Sequence, residues 1–149
     1  MLNRLKDVFA SLQRHDVRYV VIGGIAAVLY GIPRATFDLD LLIEARPGNA
    51  QRLLNALAES GMGTAHLTTA TDLLAHEITI FQDRVRIDVQ TSTPGLIFTE
   101  AWNERVRMEY EGQAFHVVSR LHLIQAKRAS GREVDLQDAS ILEGGGDQR

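Results

Sequence analysis

Asp38 and Asp40 stand one residue apart inside an otherwise apolar run, Phe37 to Ile43, about fourteen residues after a Gly23-Gly24 pair. Alternate side chains of a strand point to opposite faces, so Phe37, Leu39 and Leu41 face a core while Asp38 and Asp40 share the other surface. Their Cα atoms then lie about 6.6–7 Å apart along the strand. Carboxylates on such stems can converge on one or two divalent ions of the two-metal kind, about 3.5–4 Å apart.

At 149 residues and 45% apolar content the chain fits one compact unit with a real core. We expect a single domain over residues 1–143, with the helices of 119–143 as an appendage and 144–149 as a flexible tail. The sequence has no cysteine, which removes disulfide frameworks, thiolate zinc sites and cysteine nucleophiles and fits a cytoplasmic home. Any metal must be bound by oxygen or histidine. A net charge of −3 argues against a protein that coats nucleic acid non-specifically, yet Arg84 to Arg132 carries eight basic residues against five acidic ones, which leaves room for a local anionic partner. The longest uncharged stretch, Tyr19 to Pro33, is too short and too rich in glycine for a membrane span, and the amphipathic N-terminus does not read as a signal peptide.

Leu2, Leu5, Val8, Phe9 and Leu12 recur at helical spacing to about His15, and Arg18 to Ile22 reads as a buried strand. Gly23-Gly24 turns the chain into a short helix, Ile25 to Tyr30, ended by Gly31 and Pro33, before the strand Phe37 to Ile43. Pro47 opens a third helix that stops near Gly61, with Gly61-Met-Gly-Thr as loop. His76–Phe81 and Arg84–Gln90 form a hairpin about Gln82-Asp83, and Arg105–Tyr110 with Gln113–Val118 a second about Glu111-Gly112. Ser119 caps a helix broken at Gly131, and Asp135 to Leu142 makes a last one.

These elements bring together parts suited to holding a triphosphate. Gly23-Gly24 lies between a strand and a helix, where missing side chains let phosphate approach backbone N–H groups. Asp38 and Asp40 are hard oxygen ligands of the kind Mg²⁺ takes, with Mn²⁺ as an alternative. Asp88, on the polar face of another strand, is the natural third carboxylate, either a ligand or the acceptor of a hydroxyl proton. Arg34 and Thr36 precede the acidic pair and can contact phosphate or orient the first aspartate. Lys127 and Arg132 are later candidates for phosphate charge, and Arg84 and Arg86 share the predicted face of Asp88.

Gly23-Gly24, Arg34-Ala-Thr36, Asp38-Leu-Asp40 and Ile87-Asp88-Val89 together resemble the DNA polymerase beta-like nucleotidyltransferase superfamily. The nearer likeness is to its small bacterial branch, including the abortive-infection (AbiEii-type) nucleotidyltransferases. The segment Leu121–Leu142, with Lys127, Gly131-Arg132 and Asp135, is similar to that branch's helical ending, so the resemblance spans most of the chain. It implies an α/β (α+β) fold, a small mixed, twisted sheet with helices packed on one face. It also implies transfer of a nucleoside monophosphate from an NTP to a hydroxyl acceptor, RNA, protein or small molecule, with release of pyrophosphate. Gly23 and Gly24 would form the triphosphate loop, Asp38, Asp40 and Asp88 would ligate two Mg²⁺ ions, and Lys127 would contact phosphate. Larger members add a substrate-binding region that this chain replaces with short helices after Val118, and many carry serine where Gly24 stands.

Each motif has a plainer reading. Asp-x-Asp can be a solvated strand face, Gly-Gly a tight turn, Arg34 an ion-pair partner, Thr36 an ordinary strand residue and Lys127 a solvated lysine. The Arg84/Arg86 pair can form cross-strand salt bridges. No two of the five histidines have paired metal spacing, so all are read as structural or surface residues. A non-catalytic nucleotide-binding module, or one half of a toxin–antitoxin pair or of a homodimer, is the rival to an enzyme.

Overall fold

Val8, Phe9 and Leu12 are buried at helical spacing and define α1 (Lys6–Arg14), preceded by a 3-10 turn at Leu2–Arg4. The computed structural model describes residues 2–144. The chain continues through β1 (Tyr19–Ile22), α2 (Gly23–Leu29), β2 (Asp38–Ile43) and α3 (Pro47–Glu59). A 3-10 turn at Gly63–Leu67 leads to α4 (Ala70–Leu74), β3 (Ile78–Gln82) and β4 (Arg86–Gln90). Then come α5 (Phe98–Asn103), β5 (Val106–Tyr110), β6 (Gln113–Val117), α6 (Arg120–Ser130) and α7 (Glu133–Gly144).

The six strands form one mixed sheet in the order β3-β4-β2-β1-β6-β5. β2–β4 and β1–β6 are parallel, and the remaining neighbours are antiparallel. This is the mixed α/β architecture the sequence implied. Directly opposed residues share a face. Leu39 therefore lines up with Ile87 and Phe81, and Leu41 with Val89 and Val21, all buried on one side except where Thr79 replaces an apolar residue at the edge. α1 lies on that side, its Phe9 stacked on Phe115 with ring centroids 4.4 Å apart, and α3 packs along α1 through buried Leu53 and Leu57.

The other face presents Asp40, Asp88, Ile22 and Ile80 in one cross-strand row. α2 leaves β1 directly at its end, and α6 packs on α2 with α7 against it. Ser119 accepts a hydrogen bond from His122 N–H at 3.1 Å, and Gly131 ends α6 in the left-handed region, so both predicted boundaries of that helix hold.

Several expectations are corrected. Phe37 is 71% exposed rather than facing the core, because pairing begins only at Asp38 and no neighbouring strand imposes alternation before it. The stretch expected as loop after Gly61 contains the 3-10 turn at Gly63–Leu67. α4 and α5 went unforeseen, being too short to show a helical period, although Thr69 caps α4 by accepting from Asp72 N–H at 3.1 Å. Gly23 and Gly24 are the first residues of α2, not a turn ahead of it. Gly144 ends α7, and the rest of the expected tail lies outside the described residues. No helix among the described residues is long and apolar enough to cross a membrane.

Candidate active site

Asp40 and Asp88 are direct partners on the parallel strands β2 and β4, and Asp38 stands one step away on the same face, opposite Arg86. The sheet thus brings Asp88 beside an acidic pair that lies far from it in the chain. β1 runs antiparallel to β2, so its end delivers Gly23-Gly24 to the end of the sheet where the acidic row begins.

Gly23 has φ +71°, and a Cβ there would collide with the Asp40 carboxylate. Only glycine meets both conditions without strain. A Cβ on Gly24 would stand 3.0 Å from Thr36 Oγ1, so the second glycine lets the loop carrying Thr36 close on α2. The Gly24 N–H donates to Asp40. Burial, then Asp88 and Asp38, push the Asp40 carboxyl up to about 7, against the smaller opposing effects of Arg86 and the Gly24 N–H.

Arg86 is the counter-charge. Its Nε and Nη2 donate to the two oxygens of Asp88 at 2.9 and 3.2 Å, and its Nε lies 3.8 Å from Asp38. No group of three or more His, Asp or Glu side chains among the described residues converges into a ready-made ion site, and Arg86 pairs with both Asp38 and Asp88. The donor set nevertheless fits a hard divalent cation: three carboxylates on one face, one of them with its proton affinity raised by burial and then by its two acidic neighbours.

A cleft of about 450 Å³ opens over this face, within the range of small-ligand sites. Asp40, Asp88 and Gly23-Gly24 line part of it, and Arg34, Lys127 and Arg132 line another part. The basic residues are fixed by α7. Arg34 forks onto Asp138 with two 2.6 Å hydrogen bonds. Lys127 reaches Asp138 at 3.0 Å and Asp135 at 3.2 Å, while Ser130 and Arg132 also donate to Asp135. Burial would raise both aspartates. It is outweighed at Asp138 by Arg34 and Lys127, and at Asp135 by Ser130, Arg132 and Lys127, so both sit below the usual carboxylate range. Three cations on two anions leave this wall with excess positive charge.

A family model described as "Nucleotidyltransferase of unknown function (DUF6036)" matches residues 2–143. The chain belongs to that family. Among solved structures, a "putative nucleotidyltransferase" from Thermotoga maritima superposes with a TM-score of 0.62 at 15% identity, over 99% of this chain and 93% of that one. At that identity the likeness establishes a shared fold. No curated protein matches the sequence.

For this nucleotidyltransferase-family chain, the residues singled out in the sequence divide in two. Gly23, Gly24, Asp40, Asp88, Arg34 and Lys127 meet in the cleft. Asp38 opens onto a second, smaller cavity with Arg86 and Arg84, and Thr36 packs on Gly24. Arg84 stands outside β4 and takes no part in its alternation. It lies ahead of β4, its guanidinium donating to the carbonyls of Ser60 and Arg4. Lys127 is 5% exposed, which overturns its reading as a solvated lysine. Asp138 was missed altogether. Its only trace in the sequence is its i,i+3 spacing from Asp135, which most helices display to solvent.

Proposed function

We propose that this protein is a Mg²⁺-dependent nucleotidyltransferase that moves a nucleoside monophosphate from an NTP to a hydroxyl acceptor. The observation that carries this reading is one cleft that Gly23-Gly24 enters, with Asp40 and Asp88 on one side, Asp38 next to them on the same strand face, and a basic wall of Arg34, Lys127 and Arg132 on the other. Anionic phosphates need that wall, and the metal ions that accompany them need the carboxylates.

Asp38, Asp40 and Asp88 would hold the divalent ions, which when bound neutralise triphosphate charge and lower the barrier to attack at the α-phosphorus. Gly23 and Gly24, without side chains, let the phosphates approach the backbone at the start of α2, and Lys127 and Arg34 supply positive charge from the other side. The acceptor oxygen bonds to the α-phosphorus, and the bond from that phosphorus to the bridging oxygen breaks. Pyrophosphate leaves with the electron pair, and the hydroxyl proton passes to a carboxylate of the row. Residues 1–143 serve as one catalytic unit, and the Arg34-Ala-Thr36…Asp40 element supports kinship with the AbiEii-type branch.

Incubation with Mg²⁺, each α-labelled NTP and a pool of cellular RNA, protein and metabolites tests the reading. Wild type should transfer label and Asp40→Asn should not; equal transfer by both would sink the assignment. A second reading, a non-catalytic nucleotide-binding or toxin–antitoxin partner module, draws support from the exposed Leu121, Val134, Leu136 and Ile141 on α6 and α7. NTP binding without transfer to any acceptor would favour it.

A further inference from the structure

A second cavity, about 160 Å³, lies at the end of the sheet where β2 and β4 begin, bordered by Arg4, Phe37, Asp38, Gln82, Arg84 and Arg86. It shares no lining residue with the large cleft. Asp40 and Asp88 face the cleft and Asp38 faces the small cavity, so the acidic row separates the two spaces. We propose that this cavity is the acceptor subsite and that it takes the end of a single-stranded nucleic acid, with a base on Phe37 and a phosphate at Arg4 and Arg84.

The placement follows from the transfer reading above, on which it rests. In-line displacement puts the entering oxygen and the departing pyrophosphate on opposite sides of the α-phosphorus. With the triphosphate against Gly23-Gly24 and Lys127, the acceptor hydroxyl comes from the side of Asp38. The space there is too small for a second nucleotide to be swallowed whole. It admits a terminal sugar or phosphate while the base stays outside.

The chemistry of the rim selects the class of acceptor. Phe37 immediately precedes Asp38 and leaves 71% of its surface exposed, an aromatic face beside the acidic row with no packing role. Base stacking on such a side chain requires an unpaired base. Arg4 and Arg84 are held side by side by each other's carbonyls, Arg4 Nη2 donating to Arg84 O at 2.7 Å and Arg84 Nη1 to Arg4 O at 2.9 Å. Neither forms an ion pair with a carboxylate among the described residues. Asp83, next in sequence, turns away to accept from Thr64 N–H at 3.3 Å. Two fixed guanidiniums without an anion form a ready phosphate clamp. A protein side-chain hydroxyl would use neither the clamp nor the ring, whereas a strand of phosphates and bases uses both.

Fluorescence anisotropy with a labelled twelve-nucleotide single-stranded RNA of mixed sequence, without NTP, tests the subsite. Arg84→Ala should weaken binding about fivefold or more and lower the salt slope by about 1, and Phe37→Ala should weaken it about fivefold or more at unchanged slope. Arg84→Gln and Phe37→Leu, with melting curves for every variant, separate lost contacts from lost fold. Calorimetric binding of each NTP with Mg²⁺ to the same proteins reads the large cleft and should be unaffected. RNA affinity unchanged in folded Arg84 and Phe37 variants, or absent from wild type, overturns the subsite while NTP binding leaves the transfer reading standing. Failure of wild type to bind any NTP overturns the transfer reading and the subsite's role with it.

Discussion

Arg34 grips buried Asp138 through two hydrogen bonds of 2.6 Å, tying the loop ahead of the acidic strand to the last helix. The same carboxylate receives Lys127 at 3.0 Å, so one aspartate of α7 orients two cations of the cleft. The C-terminal helices are therefore part of the basic wall of the cleft and not a spectator to it.

Arg34→Ala should cost about 2 kcal/mol of stability, the worth of a charged hydrogen-bonded pair of which one partner is left behind, because Lys127 still attends Asp138. Arg34→Lys should restore less than half, since an ammonium cannot reproduce the fork. Urea unfolding measures both, and an unshifted midpoint for Arg34→Ala would refute the structural role.

The lowered carboxyls of Asp135 and Asp138 stabilise the fold above the ordinary carboxylate range near pH 4, and that stability is lost as pH falls through their depressed values. Asp138→Asn should flatten this acid limb of the stability curve while lowering stability at pH 7. Thermal melts from pH 2 to pH 7 test it.

Asp40 behaves in the opposite sense. Its folded value, about 7, lies above the unfolded one, so the metal-free fold loses stability as pH climbs from about 4 to 7 and gains nothing back above that. Asp40→Asn should match wild type near pH 4 and melt higher at pH 8 without divalent ions. Millimolar Mg²⁺ should erase that advantage by stabilising only the wild type.

Gly23→Ala forces a side chain into a left-handed backbone position and against Asp40. The double variant with Asp40→Ala should recover the steric part and keep about 1 kcal/mol of backbone penalty. Additive losses in a double-mutant cycle would show that the two residues do not touch.

Arg86 neutralises the carboxylates that a metal ion would use, so Arg86→Gln should lower metal-free stability and tighten Mn²⁺ binding at the same time. Titration followed by electron paramagnetic resonance gives the affinity. Weaker Mn²⁺ binding would mean that Arg86 organises the site and does not compete for it.

The sheet was legible because β2 and β4 alternate cleanly: Leu39 and Leu41, Ile87 and Val89 turn one way, and the aspartates turn the other. That alternation placed Asp40 and Asp88 in one cleft. Phe37 escaped it because periodicity carries no information about where a strand's partner ends. Lys127 and Asp138 escaped it for another reason. A lysine in a helix is solvated by default, and only the packing of α7 against α6, a contact between elements, shows that this one is enclosed.

Asp40 and Asp88 become neighbours only when β2 and β4 pair in parallel, across a stretch of chain that holds α3, α4 and β3. Parallel pairing across such a span is slow, whereas helices such as α1 and α6 form from local contacts. The unfolded and half-folded chain therefore carries its acidic groups dispersed in water, where they repel little. Their crowding belongs to the native pairing of β2 with β4. It burdens the finished protein instead, and a bound cation would act on how long the native state lasts more than on how quickly it forms.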